Sequence, residues 1–217
     1  MPLAGKGMLI TSMDVDAADD AEFNLWYDRE HLAERVAIDG FLEARRWIAD
    51  EANPRYFCTY STANFEDLSS PAYRQALASQ TDWSRRNIAR FKNMGRVVGR
   101  ITASRGRGRG AALGVVRLRP AGDGQQDLRN RLQELLDPGN VAGIISLHLV
   151  ESDPHLSKSL TEPEKPNPGA GDWYILIEGT DLAAICELIG ARYRHPGADV
   201  ISIGTYRLMW DLSKSDL

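Results

Sequence analysis

The feature that most constrains this chain is an order of segments that occurs twice. Apolar periodicity makes KGMLITSMDV (6–15) a strand and DDAEFNLWYDREHLAERVA (19–37) a helix, with Asp19 or Asp20 available as its N-cap. After a break at Asp39-Gly40, FLEARRWIAD (41–50) and RYFCTYST (55–62) read as strands on either side of an Asn53-Pro54 turn. The stretch 64–93 reads as two short helices, with Pro71 in the first turn of one and Thr81 or Asp82 capping the other. GRVVGRITAS (95–104) follows as a strand. The second run repeats this order. ALGVVRLRPA (112–121) is strand-like, QQDLRNRLQELLD (125–137) helical, and VAGIISLHLVESD (141–153) and DWYILIEGT (172–180) strand-like. DLAAICELIGARYR (181–194) is helical and VISIGTYRLMWDL (200–212) is the last strand.

Each run is β-α-β-β-α-β, the split βαβ or ferredoxin-like unit, so the expected class is α+β with two such units in tandem. AIDGFLEARRW (37–47) and NVAGIISLHLV (140–150) echo one another at matching places in the two runs. The expected boundaries are 1–104 for the first unit, 105–110 for a Gly/Arg linker, and 111–217 for a second, degenerate unit carrying a long loop at 152–171. That loop is rich in Pro, Ser and charge, and its length suits either a lid over a site or a mobile connection.

Charge excludes some functions. A net charge of −4 and a pI near 5.6 disfavour general binding to nucleic acid or anionic membrane surfaces, both of which reward basic faces. The run SRGRGRG (104–110) is therefore expected to be a flexible, solvated linker rather than a nucleic-acid arm. No apolar run approaches the roughly 20 residues that cross a bilayer. The N-terminal apolar run is interrupted at Ser12 and Asp14, as a strand would be and a secretory signal would not. Cys58 and Cys186 lie far apart in a strand and a helix, and are expected to be buried, reduced thiols of a cytoplasmic protein. His31, His148, His155 and His195 are scattered without metal-ligand spacing, so no metal site is expected; His148 is placed at a core edge and His155 at the surface.

The first helix carries the candidate chemistry. At about 100° per residue, Phe23, Trp26, Ala33 and Ala37 share one side, continued by Leu25, Leu32 and Val36. Tyr27 and His31 stack at the edge of this stripe, Glu30 and Glu34 fall on its aromatic side, and Asn24, Asp28 and Arg35 face outward. Burial would raise the carboxyl pKa values, and a neighbouring carboxylate would favour protonated His31, an arrangement suited to acid/base work near neutral pH; the alternative is that Glu30, His31 and Glu34 form a solvated rim of surface ion pairs, with the aromatics as plain core.

LWYDREH followed by GFLEARRW resembles the start of EthD-like domains in the dimeric α+β barrel superfamily, over residues 6–104 by motif and 111–212 by topology alone. The resemblance implies that the antiparallel sheets of the two units pair into an α+β barrel, here within one chain. It implies a small, mostly apolar or aromatic organic substrate and no tightly bound cofactor, with proton abstraction, isomerisation or cofactor-independent oxygenation of an activated phenol or enol. His31 would be the acid/base, oriented by Glu30 or Glu34, with Tyr27 as hydrogen-bond donor. Trp26, Glu34 and Trp83 would line the substrate. A non-catalytic ligand-binding or auxiliary barrel is the alternative, and haem on His31 a third reading drawn from relatives. The second helix of the pair, DLRNRLQELLD, has no Trp, Tyr or His, which confines the site to the first half. A fused pair no longer requires a homodimer to close the barrel, although edge strands could still join two chains.

Overall fold

Eight strands pair edge to edge until the sheet closes on itself, and their alternating side chains face its interior and its outer surface in turn. The computed structural model describes residues 5–158, 164, 167 and 169–217. Its strands are β1 (Gly7–Asp14), β2 (Phe41–Glu51), β3 (Tyr56–Thr62), β4 (Lys92–Gly106), β5 (Ala112–Arg119), β6 (Ile144–Ser152), β7 (Trp173–Gly179) and β8 (Asp199–Ser213). They form a closed, wholly antiparallel barrel in the order β1-β3-β2-β8-β5-β7-β6-β4. Each half contributes its fourth, first, third and second strands in that spatial sequence. The halves join where β2 pairs β8 and β4 pairs β6. No strand of the barrel has a free edge, so the expected route of association through edge strands is closed.

Helices pack on the outer face. In the first half these are α1 (Asp20–Trp26), a π-helical turn (Tyr27–His31), α2 (Leu32–Ala37), α3 (Pro71–Ala78) and α4 (Asp82–Ile88). The second half carries α5 (Gln125–Leu135) and α6 (Leu182–Arg192). Ser70 and Thr81 cap α3 and α4 by accepting from the N–H groups of Tyr73 and Ser84. Asp19 holds the N-cap position of α1 without a side-chain bond, and Asp20 instead accepts from the Tyr56 hydroxyl at 2.6 Å. Among the described residues, no helix is long and apolar enough to cross a membrane.

Three apolar clusters follow from this layering. Phe23, Trp26, Leu32 and Val36 pack on Leu9, Ala44, Tyr60 and Val98 of the first half-sheet. Leu128, Leu132, Ile185 and Ile189 pack on Val116, Leu118, Leu149 and Ile175 of the second. Met8, Ile10, Trp47, Phe57, Leu113, Tyr174 and Tyr206 fill the barrel interior. The approach of α6 to β5 is close: a Cβ on Gly114 would lie 2.4 Å from Ile185 Cγ2 and 3.0 Å from Ile189 Cδ1.

Several expectations change here. Cys58 is buried, but Cys186 is exposed on the outward side of α6. His148 is fully buried rather than at a core edge. The Gly/Arg segment is not wholly free. Arg105 and Arg107 are exposed, but Arg109 pairs with Glu43 at 2.5 Å, and the Gly110 N–H donates to Glu178 at 2.8 Å. Much of the 152–171 loop lies outside the described residues. Its described start docks on β4, where Asp153 N–H donates to the Val98 carbonyl and Ser157 bonds both backbone groups of Val98. A Gly114→Val substitution should push α6 off the sheet and destabilise the protein by about 1–3 kcal/mol, read as a lower urea midpoint at unchanged slope.

Candidate functional site

The helix that carries LWYDREH is not a regular α-helix. Tyr27–His31 form a π turn, which inserts one residue into the helical register. One residue is worth about 100° of rotation, so everything after the turn faces a new direction. Arg35, outward on a regular wheel, becomes 4% exposed, and His31 is carried from the stripe's edge onto the buried face at 9%. Ala37 becomes exposed instead. Leu25, which precedes the turn, is half exposed and does not join the core.

The sheet meets this helix with a polar row. Thr11, Cys58 and Arg46 are register partners on β1, β3 and β2, side by side on the outer face. Tyr60, two residues on from Cys58, places its hydroxyl 3.2 Å from that of Tyr27. Arg46 is fully buried, its guanidinium carbon 4.4 Å from the Tyr27 ring centre and 5.1 Å from those of Phe23 and Tyr56. Its tip bonds Asp28 Oδ1 at 2.8 Å and the Asn24 side-chain oxygen. Burial pushes the Cys58 thiol and both phenols of Tyr27 and Tyr60 up, so all three stay protonated and neutral.

His31 stacks against Trp26, with ring centres 4.4 Å apart, and meets Tyr27 edge-on at 4.8 Å. Burial first, then the positive charges of Arg35 and Arg46, hold its pKa well below the usual value of 6.5. The imidazole is neutral, the reverse of the protonated state expected from neighbouring carboxylates. Those carboxylates are engaged or distant. Glu30 Oε1 accepts from Trp26 Nε1 at 3.2 Å, Thr81 Oγ1 at 2.6 Å and Ser84 Oγ at 3.0 Å, which ties the π turn to α4. Glu34 is partly exposed, its carboxyl raised by burial and by the charge of Glu30, and no hydrogen bond joins it to His31 among the described residues. Trp83 donates to Glu22 at 2.7 Å near the surface of α4. Tyr27, Trp26 and His31 are therefore brought together, while Glu30, Glu34 and Trp83 flank them.

Four buried polar atoms in this layer lack a hydrogen-bond partner: His31 Nδ1, Arg35 Nη1, Arg46 Nε and Thr11 Oγ1. Thr11, Cys58, Tyr60 and Arg46 were not singled out from the sequence. The signal available for them was a strand alternation that puts Arg46, Cys58 and Thr11 opposite the barrel-facing Trp47, Phe57 and Ile10.

A second polar cluster closes one end of the barrel interior. Arg45 pairs with Glu178 at 2.5 Å and with Asp211 at 3.2 Å, and donates to the Gly110 carbonyl at 2.7 Å. His148 Nδ1 lies 2.9 Å from Ser104 Oγ, and Nε2 lies 3.1 Å from Ser146 Oγ. Ser146 gives its proton to the Gly108 carbonyl, so it accepts from Nε2–H, and Ser104 donates to Nδ1. Burial, then Arg45, lowers the His148 pKa to about 3, so the 4.0 Å approach to Glu178 is not an ion pair at neutral pH. With both ring nitrogens satisfied, this cluster reads as structural.

The fold and site define an α+β barrel of ferredoxin-like halves with one polar helix–sheet layer. No protein-family profile matches the chain, and no curated protein matches it. Solved structures do. An anthrone oxidase-like protein superposes with a TM-score of 0.64 at 10% identity, covering 98% of this chain and 95% of that one. A candidate monooxygenase from Fusobacterium nucleatum subsp. nucleatum gives 0.61 at 8%, covering 97% and 95%. A haem-binding protein from Thermus thermophilus gives 0.51 at 9%, covering 96% and 92%. At these identities the likeness is one of fold.

Because the folded His148 holds its proton far more weakly than the unfolded residue, its contribution is intact above pH 6.5. It is lost as pH falls from 6.5 toward about 3. Over that window, His148→Gln should flatten the stability–pH slope by up to about 1.4 kcal/mol per pH unit relative to the parent. Parallel slopes in urea titrations would show that His148 is solvated.

Proposed function

We infer that the protein binds a small, mostly apolar or aromatic organic molecule in the first-half helix–sheet layer and transforms it by cofactor-independent acid/base or oxygenase-type chemistry, as an EthD-like barrel. The observation that carries this reading is the neutral, buried His31 with an unpartnered Nδ1 beside two neutral phenols and a row of polar sheet residues. A neutral imidazole is in its proton-accepting form, but two nearby guanidiniums make it a weak base. Such a base suits a substrate whose proton is already acidic, such as an activated phenol, an enol or the C–H beside a carbonyl. Tyr27 donates a hydrogen bond to the substrate oxygen, and Trp26 is the wall that orients the imidazole. Proton loss leaves an anion that either rearranges or reacts with dioxygen as oxidant. The match to an anthrone oxidase-like protein supports this class of substrate.

Haem is a poorer fit. The imidazole is held between Trp26 and Tyr27, and Leu9, Tyr60 and Val98 pack the sheet side of the layer, so a porphyrin would have to displace this packing. A second reading, a non-catalytic ligand-binding or auxiliary barrel, is favoured by the side-chain-filled interior, in which Trp47, Phe57, Tyr174 and Tyr206 occupy the barrel. Any association of two such chains would use outer faces.

The test is oxygen uptake and product formation on a panel of anthrones and polycyclic phenols. His31→Gln should lose turnover by about 100-fold or more while melting within a few degrees of the parent. Equal turnover in the variant would remove His31 from the reaction, and saturable binding without turnover in the parent would favour the auxiliary reading.

A further inference from the structure

A guanidinium that is 4% exposed needs an anion, and Arg35 has none within ion-pair reach among the described residues. Ionised side chains are buried with a partner or at high cost. Among the described residues Arg35 makes no ion pair, and its Nη1 has no hydrogen-bond partner at all. The other buried arginines of the same strands and helix are matched. Arg45 meets Glu178 and Asp211, and Arg46 meets Asp28 and Asn24. No group that feels the charge of Arg35 is joined to it by an ion pair among the described residues. His31 and Tyr60 both feel its charge, and both are neutral. Glu34, its neighbour in sequence, also feels its charge, but it is partly exposed and forms no ion pair with Arg35, and burial and Glu30 outweigh Arg35 in raising its carboxyl. Arg35 also reaches this position only because the π turn rotates α2 inward. A rotation that buries an unmatched charge, beside an unmatched histidine nitrogen, is costly unless something negative completes it.

We propose that Arg35 Nη1 and His31 Nδ1 form an anion-recognition pair, and that the ligand of this layer presents them with a negatively charged oxygen. The proposal rests on the helix–sheet layer being the ligand site, and it narrows the ligand from apolar or aromatic to aromatic with an anionic oxygen. The oxygen can come from a carboxylate substituent or from a phenolate. Either would pair with the guanidinium through a charge-assisted hydrogen bond and accept from Nδ1–H in the neutral tautomer that leaves Nε2 as the proton acceptor. Packing by Trp26 and Tyr27 around the imidazole restricts the anionic group to one of oxygen or carboxylate size.

The experiment is calorimetric titration of the intact protein with benzoate, benzamide and para-nitrophenol, the last above and below its own pKa. Benzoate is expected to bind at least tenfold more tightly than its neutral isostere benzamide. Tighter binding of para-nitrophenol when ionised identifies a phenolate as an accepted source, whereas preference for benzoate alone identifies a carboxylate. Arg35→Met should abolish the preference for the anion and raise the melting temperature, because it removes a stranded charge. Arg35→Lys should retain a weaker preference. Equal affinity for benzoate and benzamide overturns the anion pair while leaving the ligand site standing. A failure of every probe to bind overturns both readings. A lower melting temperature or loss of folding in Arg35→Met means that Arg35 is already neutralised within the fold, and overturns the proposal independently of binding.

Discussion

The arrangement depends on one buried guanidinium. Arg46 leaves β2 on the outer face of the barrel, passes between the rings of Phe23, Tyr27 and Tyr56, and ends on Asp28 and Asn24. Asp28 lies inside the π turn and Asn24 one turn earlier, so a single side chain fixes the irregular segment to the sheet. Charge-assisted bonds in a water-poor layer are directional as well as strong. That directionality sets the rotation of α2, and with it the inward placement of His31 and Arg35. Glu30 provides the opposite tie, gathering Trp26, Thr81 and Ser84 so that α4 is held against the same turn.

The residue before it does the complementary task. Strand residues alternate between faces, so Arg45 points into the barrel while Arg46 points out. Arg45 meets Glu178 from β7 and the Gly110 carbonyl from the segment joining the halves, and Glu43 on β2 pairs with Arg109. These contacts lock the β2–β8 seam and the connection between the halves into one unit. Adjacent arginines thus serve two different layers, one closing the barrel and one shaping the helix that covers it.

Much of the fold was legible because it depends on period. All eight strands and the helices alternate or repeat in ways that single residues announce, and Asp39-Gly40, Pro71 and Thr81 mark the boundaries they suggested. The barrel itself was read from a resemblance, and the pairing of β2 with β8 and β4 with β6 has no local signal. In the candidate site, the stacking of Tyr27 on His31 was legible from their four-residue spacing, but the wheel groups Glu30 and Glu34 with them, whereas the structure sets Trp26 against His31 and leaves both acids at the flank. The protonation of His31 was not legible, because it depends on Arg46 arriving from another strand. Arg35 was placed outward because a helical wheel assumes 3.6 residues per turn throughout, and nothing in LWYDREH announces the extra residue of the π turn. The habits of cysteine predict a buried Cys186, but α6 turns it outward.

The two halves use one topology with unequal economy. Every buried side-chain polar atom found without a hydrogen-bond partner among the described residues belongs to the first half: Thr11, His31, Arg35, Arg45, Arg46, Trp47, Ser61 and Asn87. The described second half shows none. Its helix–sheet layer is built from Leu128, Leu132, Leu136, Ile185 and Ile189 against an aliphatic sheet face, and it reaches its packing without polar compromise. An unmet buried donor or acceptor costs about 1–3 kcal/mol, so a structure that could pack both halves in the second manner bears that cost repeatedly on one side only. Four of the eight atoms, on Thr11, His31, Arg35 and Arg46, lie in the helix–sheet layer beside the π turn, while those of Arg45 and Trp47 face the barrel interior, so the cost is shared between the two layers of the first half.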